Sequence, residues 1–176
     1  MDKRKEANMR VKQSITKALL TLMYQKSFSE ISITEIITKA KVARASFYRN
    51  YTSKEDVLLT VVRDALAHFR ENADYDLGDC YQYPHVKRCF TYFKLYGEFI
   101  LDLCNFGYGE WILKEINNFH EDIAGIMPCN SIEKYKLYVF VGALYNTAVM
   151  WLQDGAKESE EDIAAVFCRE LGIPLS

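Results

Sequence analysis

Apolar residues recur at helical spacing along the chain, and polar breaks divide the pattern into about nine segments, which predicts an all-α fold. Val11, Ile15, Ala18, Leu19, Leu22 and Met23 mark the buried face of a first helix that Lys26-Ser27-Phe28 ends, with Lys12 and Lys17 off that face. Ile33, Ile36, Ile37 and Ala40 then give an apolar stripe about two turns long. Ser32 and Glu35 stand at capping-box spacing before it, each able to satisfy the other's backbone amide. Lys41-Val42 breaks the rhythm, and a second short helix from Ala43 to Tyr48 would bury Phe47 and turn Arg44, Ala45, Ser46, Tyr48 and Arg49 outward. Ser53 with Asp56 repeats the capping pattern and opens a longer helix over 53–73, striped by Val57, Leu58, Val61, Val62, Ala65, Leu66 and Phe69.

Residues 74–83 lose periodicity around Gly78 and several acids, and Pro84 suits the first turn of the next helix. Three helices are predicted over 85–95, 97–106 and 109–125, separated at Gly97 and at Gly107-Tyr108-Gly109. Met127-Pro128-Cys129-Asn130 is a stop, and Ser131 with Glu133 and Lys134 starts the following helix. Within 135–152 only Lys136, Asn146 and Thr147 are strongly polar, a length that approaches a membrane span. Its flanking acids and isolation mark it instead as a soluble helix. A helix apolar on nearly all sides must be buried on nearly all sides, and so small a body cannot surround it. Its second face is therefore expected to meet another subunit, with Gly142, Ala143 and Ala148 permitting close approach. Acids at 158–162 suit a helix N-terminus, and Ile163, Val166, Phe167 and Leu171 stripe a last helix that Gly172-Ile173-Pro174 ends.

Charge sharpens this picture. Residues 1–63 hold 13 Lys+Arg against 6 Asp+Glu, whereas residues 64–176 hold 9 against 18. A basic head on an acidic body suggests that the head meets a polyanion. Two helices of barely two turns do not stand alone, and the helix-turn-helix, with its second helix in the major groove, accounts for their outward face. Arg44 can donate to guanine O6 and N7, Ser46 can pair with either base type, and Ala45 suits a thymine methyl.

From about Arg10 to Val62 the sequence resembles the TetR family of bacterial transcription regulators. The resemblance rests on Phe28, on Ser-Ile-x-Glu-Ile, on Ala-x-Val, on Ser46-Phe47-Tyr48-x-x-Tyr51 and on Ser53-Lys54-Glu55-x-Val57-Leu58 in that order. It departs at Lys41, where the family usually has Gly, and at Ala43, where it often has Ser or Thr. The resemblance places Thr34, Arg44, Ala45 and Ser46 among base-reading positions, and Tyr48, Asn50 and Lys54 among phosphate contacts, with Arg49 outward beside them. Tyr51 fits either a phosphate contact or the core. It further implies a helix-turn-helix domain over 1–52, a connecting helix over 53–73 and an effector-binding, dimerisation domain over 74–176. It also implies a homodimer through the last two helices that binds operator DNA, more as repressor than activator.

The body's apolar positions are unusually aromatic. Most such rings fill core, but the resemblance implies an effector pocket, for which Phe93, Tyr96, Phe99, Leu103, Trp111, Tyr145 and Trp151 are the candidates. Acids in the body favour a neutral or cationic aromatic effector; the alternative is control by a protein partner. His85 and Cys89 stand one turn apart with Cys80 nearby, too few and too irregular for zinc, so no metal and no cofactor are expected. Cys104 and Cys129 lie in apolar surroundings unsuited to redox sensing, and His68 and His120 read as solvated surface groups. The five cysteines form no C-x-x-C pair, which fits a reducing cytoplasm, and the charged start carries no signal peptide. No Ser-His-Asp order, H-E-x-x-H or Gly-rich phosphate loop appears, so no enzyme is expected.

Overall fold

A computed structural model describes residues 3–77, 79–125 and 132–175. Among these residues are nine α-helices, one 3-10 turn and no strand. They gather into two compact units, Met1–Val61 and Val62–Ser176.

The first unit contains α1 (Lys3–Met23), a 3-10 turn (Phe28–Glu30), α2 (Ile33–Ala40), α3 (Arg44–Asn50) and the start of α4 (Lys54–Glu71). α1 packs on both α2 and α3, and Ile15, Leu19, Phe28, Ile36, Phe47 and Leu58 are buried between the helices. Of the stripe on α2, Ile36 is fully buried, while Ile33, Ile37 and Ala40 are half-buried. Residues 3–6 are helical, with Glu6 in the first turn where the helix dipole favours an acid. The start of α4 is capped in part as expected. The Asp56 amide donates to Ser53 Oγ at 3.1 Å, and the Asp56 carboxylate accepts from the Thr52 amide at 2.9 Å.

The second unit continues α4 and adds α5 (Tyr83–Leu95), α6 (Gly97–Asn105), α7 (Gly109–Ala124), α8 (Ile132–Gln153) and α9 (Glu160–Glu170). α5 packs on α9 and α8, and α7 packs on α6 and α8. α4 ends at Glu71, slightly before the expected 73. The break at Gly78, the stop at 127–130 with Cys129, and the start at Ser131 lie outside the described residues. α9 starts on Ser159, whose hydroxyl accepts from the Asp162 amide at 3.1 Å. No described helix is long and apolar enough to cross a membrane.

Rings fill the interior of the body in edge-to-face pairs, the arrangement their quadrupoles favour. Phe90 meets Trp151 and Phe167, each with ring centroids 5.9 Å apart, and Phe140 meets Phe167 at 5.7 Å. His120 belongs to this interior and not to the surface expected for it. Ile112, Ile116, Phe119 and His120 share one face of α7, which carries the imidazole inward until it is only 2% exposed. There its Nε2 lies 3.1 Å from Nε2 of His85, which is itself fully buried. Burial, which strips water from a charged imidazole, pushes His85 down to about 3 and His120 down to about 4. His68 is exposed, with Nδ1 2.7 Å from the Tyr92 hydroxyl.

α8 is apolar on two sides. Leu137, Phe140, Val141, Leu144 and Trp151 face the core, while Ile132, Tyr135, Val139 and Met150 are exposed. Ala148, expected on the outward face with Gly142 and Ala143, is wholly buried within the subunit.

Gly109 is fixed by a close approach. Tyr145 donates from its hydroxyl to the Gly109 carbonyl at 2.8 Å, with Cys104 Sγ 3.5 Å from the hydroxyl oxygen. A Cβ at position 109 would stand 2.6 Å from that hydroxyl and 3.1 Å from Cys104 Sγ. Gly109→Ala is expected to cost about 1–3 kcal/mol in denaturant unfolding through overpacking. Tyr145→Phe removes the oxygen that clashes, so the double variant is expected to lose less than Gly109→Ala and Tyr145→Phe added together.

Candidate nucleic-acid interface

Two short helices and their turn carry Lys39, Lys41, Arg44 and Arg49, and each is braced from behind. At the start of α2 the Glu35 amide donates to Ser32 Oγ at 3.2 Å, and the Glu35 carboxylate accepts from the Ser32 amide at 3.0 Å, closing the capping box. Lys26 reaches the same carboxylate at 2.6 Å from outside the helix. The Lys26 ammonium, then the Ser32 amide and hydroxyl, hold the Glu35 carboxyl far below the usual carboxylate range, at about 2.

α2 ends in the left-handed conformation at Lys41, with φ 55° and ψ 43°. A side chain with a Cβ costs roughly 1–2 kcal/mol there, which a glycine would avoid. Ala43 at the start of α3 is extended and supplies no side-chain cap; a Ser or Thr at such a position is typically worth about 1 kcal/mol. The short α3 is held by Phe47, which is fully buried. Phe47 meets Tyr48 edge-on at 5.4 Å and Tyr51 at 5.7 Å. Tyr51 is 3% exposed and is therefore core.

Around this anchor the outward residues stand together. Thr34, Arg44, Ala45, Tyr48 and Arg49 are exposed, and Ser46 and Asn50 are half-buried. Arg44 links the two helices, donating to Thr34 Oγ1 at 3.5 Å and to the Tyr48 hydroxyl at 3.3 Å, with its guanidinium 5.4 Å from the Tyr48 ring centre. Asn50 donates to the Ser46 carbonyl at 2.8 Å, one turn back on its own helix. A guanidinium has five N–H donors in a planar fork, so these contacts orient Arg44 and leave donors for a base edge.

Lys54 turns onto the chain's own backbone. Its Nζ donates to the Phe28 carbonyl at 2.5 Å, to Ile31 at 2.9 Å and to Ser29 at 3.2 Å, and lies 4.6 Å from the centre of the Phe28 ring. An ammonium has three donors, and all three close the carbonyl ends of the 3-10 turn. The resemblance put Lys54 among phosphate contacts; these carbonyls belong to residues 23–26 positions away and left no signal in the pattern.

The expected body set is only partly gathered. Phe93, Leu103 and Trp151 are buried, while Tyr96, Phe99, Trp111 and Tyr145 are half-buried. Phe93 and Tyr145 meet with centroids 6.5 Å apart, but Trp151 packs on Phe90, Tyr96 stacks on Tyr92, and Trp111 packs on Tyr108. The Trp151 indole N–H is buried with no acceptor. An open cleft of about 410 Å³ lies elsewhere, between α4 and α7, lined by Arg63, Leu66, Arg70, Glu115, Phe119 and Asp122 among others. Arg63 bridges Glu115 at 2.9 Å across it, and Arg70 pairs with Asp122.

An all-helical chain whose basic end presents a braced two-helix face has the architecture of a helix-turn-helix transcription regulator. Residues 15–61 match the family described as "Bacterial regulatory proteins, tetR family". By that match the head is similar to the tetR family, and the chain has the fold of a TetR-family transcription regulator. A TetR transcriptional regulator from Streptococcus agalactiae 2603V superposes with a TM-score of 0.61 at 19% identity, over 96% of this chain and 97% of that one. The fatty acid degradation regulator FadR from Bacillus halodurans gives 0.58 at 14%, over 92% and 94%. The dihydroxyacetone kinase operon activator DhaS gives 0.51 at 19%, over 92% and 93%. At these identities the likeness shows the fold. Comparison with curated protein sequences gives no match.

Lys54→Met keeps most of the side chain's bulk and removes its three donors. Hydrogen bonds to a charged group are worth about 1.5–3 kcal/mol, so this variant is expected to lose stability of that order. The measurement is urea unfolding followed at the head, in the absence of DNA. Unchanged stability would return Lys54 to a purely DNA-facing role.

Proposed function

We propose that this protein is a cytoplasmic homodimeric regulator that binds operator DNA through its head, represses from that site, and lets go when an effector occupies its body. The observation that carries the reading is the exposed cluster of Thr34, Arg44 and Tyr48 on two braced helices. Residues 1–52 bind DNA, 53–73 connect, and 74–176 receive the effector and form the dimer. Arg44, Ala45, Ser46 and Thr34 read bases; Tyr48, Arg49 and Asn50 hold phosphates. Lys54 serves this surface indirectly, by fixing the turn beneath it.

Dimerisation is supported by the second apolar face of α8. Ile132, Tyr135, Val139 and Met150 recur along one side of that helix, and Val166 of α9 is exposed as well. Two such subunits place two heads on half-sites one helical turn, or a multiple, apart. The effector we assign is a neutral or cationic aromatic compound that accepts a hydrogen bond from the buried Trp151 N–H. It acts through α4, which runs from the first unit into the second. A specific observation favours a second reading: the body's rings are packed against one another while apolar residues of α8 stand exposed, which suits control by a protein partner. The DhaS relative is described as an operon activator, so a reporter assay with and without the gene decides the sign of regulation.

Arg44→Ala is expected to cost about 1–3 kcal/mol on the selected operator and to relax preference at one base position. Binding by fluorescence anisotropy to the operator and to single-base variants reads both; a uniform loss across all DNA would remove its base-reading role.

Val139→Arg places a charge on the outward face of α8 without touching the core. Sedimentation is expected to show a folded monomer with weakened operator affinity. A variant still dimeric at micromolar concentration would rule out this face as the interface.

A further inference from the structure

We propose that His85, Cys89 and His120 form a buried metal site in the body, built for the thiophilic d10 ion copper(I). The three side chains come from two helices, α5 and α7, and their ligand atoms all lie within 4.8 Å of one another. Their residues are 0%, 6% and 2% exposed, respectively. The two Nε2 atoms stand 3.1 Å apart, close to the separation of two nitrogens bound to one metal at about 2.0 Å each.

The outer contacts of both imidazoles suit ligation. His120 Nδ1 lies 2.9 Å from the Ile116 carbonyl, which can only accept, so Nδ1 carries the proton and the Nε2 lone pair points at the site. His85 Nδ1 faces the Tyr75 hydroxyl at 3.5 Å. That hydroxyl donates to Nδ1 when His85 Nε2–H bonds to His120, and accepts from Nδ1–H when both Nε2 atoms hold a metal. Such partners orient ligating histidines in known sites. Phe69 and Phe119 stand edge-on to the imidazoles at 5.5 Å and 5.4 Å, and Phe140 packs at 5.8 Å, keeping the site dry.

Charge selects the ion. Two neutral imidazoles and one thiolate carry a single negative charge, which a monovalent ion cancels and a divalent ion exceeds. Excess charge is costly in a dry interior. Imidazole with thiolate also suits copper(I) by softness. On binding, the Cys89 S–H bond breaks and its proton leaves to solvent, the His85 proton moves from Nε2 to Nδ1, and a copper–sulfur and two copper–nitrogen bonds form. No electron is transferred. The site stands independently of the DNA-binding reading.

The test titrates the full-length reduced protein with copper(I) in the presence of bicinchoninate, anaerobically. One ion per chain is expected to be retained, with X-ray absorption showing two nitrogen neighbours and one sulfur. Cys89→Ala and His120→Gln are expected to lose the ion, Cys168→Ala to keep it, and Tyr75→Phe to weaken it about 10–100-fold; circular dichroism checks that each variant folds. Zinc is titrated in parallel. No retained copper, retention by a folded Cys89→Ala variant, or a wild-type absorption spectrum lacking the sulfur neighbour would overturn the proposal. Preferential zinc binding that depends on Cys80 would overturn the copper assignment in favour of a four-ligand zinc site. Because the absorption measurement uses wild-type protein, it decides even where a variant does not fold.

Discussion

A helix of seven residues has too few internal hydrogen bonds to hold its own shape, so the burial of Phe47 is what makes α3 a helix with a defined outward face. Burial at Phe47 fixes the rotation of α3, and that rotation alone determines that Arg44, Ala45 and Tyr48 point out together. The other braces serve the same end. The closed capping box on α2 fixes where the first helix starts, the Lys26–Glu35 pair ties that start to the preceding segment, and Lys54 ties the base of α4 to the turn below. Polar contacts at the rim set the ends of these helices; the apolar core sets their facing.

The head was largely legible because its signals are local. Ser32 and Glu35 are three residues apart and bond as their spacing implies; Lys41 and Ala43 depart from a pattern within one turn, and the backbone shows the consequence at both. What escaped the sequence is long-range. Nothing around Lys54 hints at carbonyls of Phe28, Ser29 and Ile31, and nothing around His120 hints at His85 thirty-five positions earlier. His120 also shows how helical periodicity is misread when acids are neighbours: Glu121 and Asp122 follow it in sequence but lie around the helix from it. The face shared with Ile112 and Ile116 was the better guide.

The body illustrates a different limit. A dense set of aromatics on several helices was compatible with both a pocket lining and a packed interior, since each puts rings at helical spacing. Pairwise ring contacts such as Phe90 with Trp151 show much of this set meeting other rings, and the indole N–H of Trp151 is buried among them without an acceptor. The exposed apolar side of α8 was readable because it violates what a single small subunit can bury. Two apolar faces on one helix ask for two neighbours.

Lys41 carries a consequence for how this head can change over time. Replacing it with glycine would relax the left-handed turn but remove a cation from the basic unit, whereas another cation, arginine, would keep the strain. Selection for a stiffer turn and selection for positive charge therefore pull position 41 in opposite directions. At an ordinary exposed lysine the two would be independent.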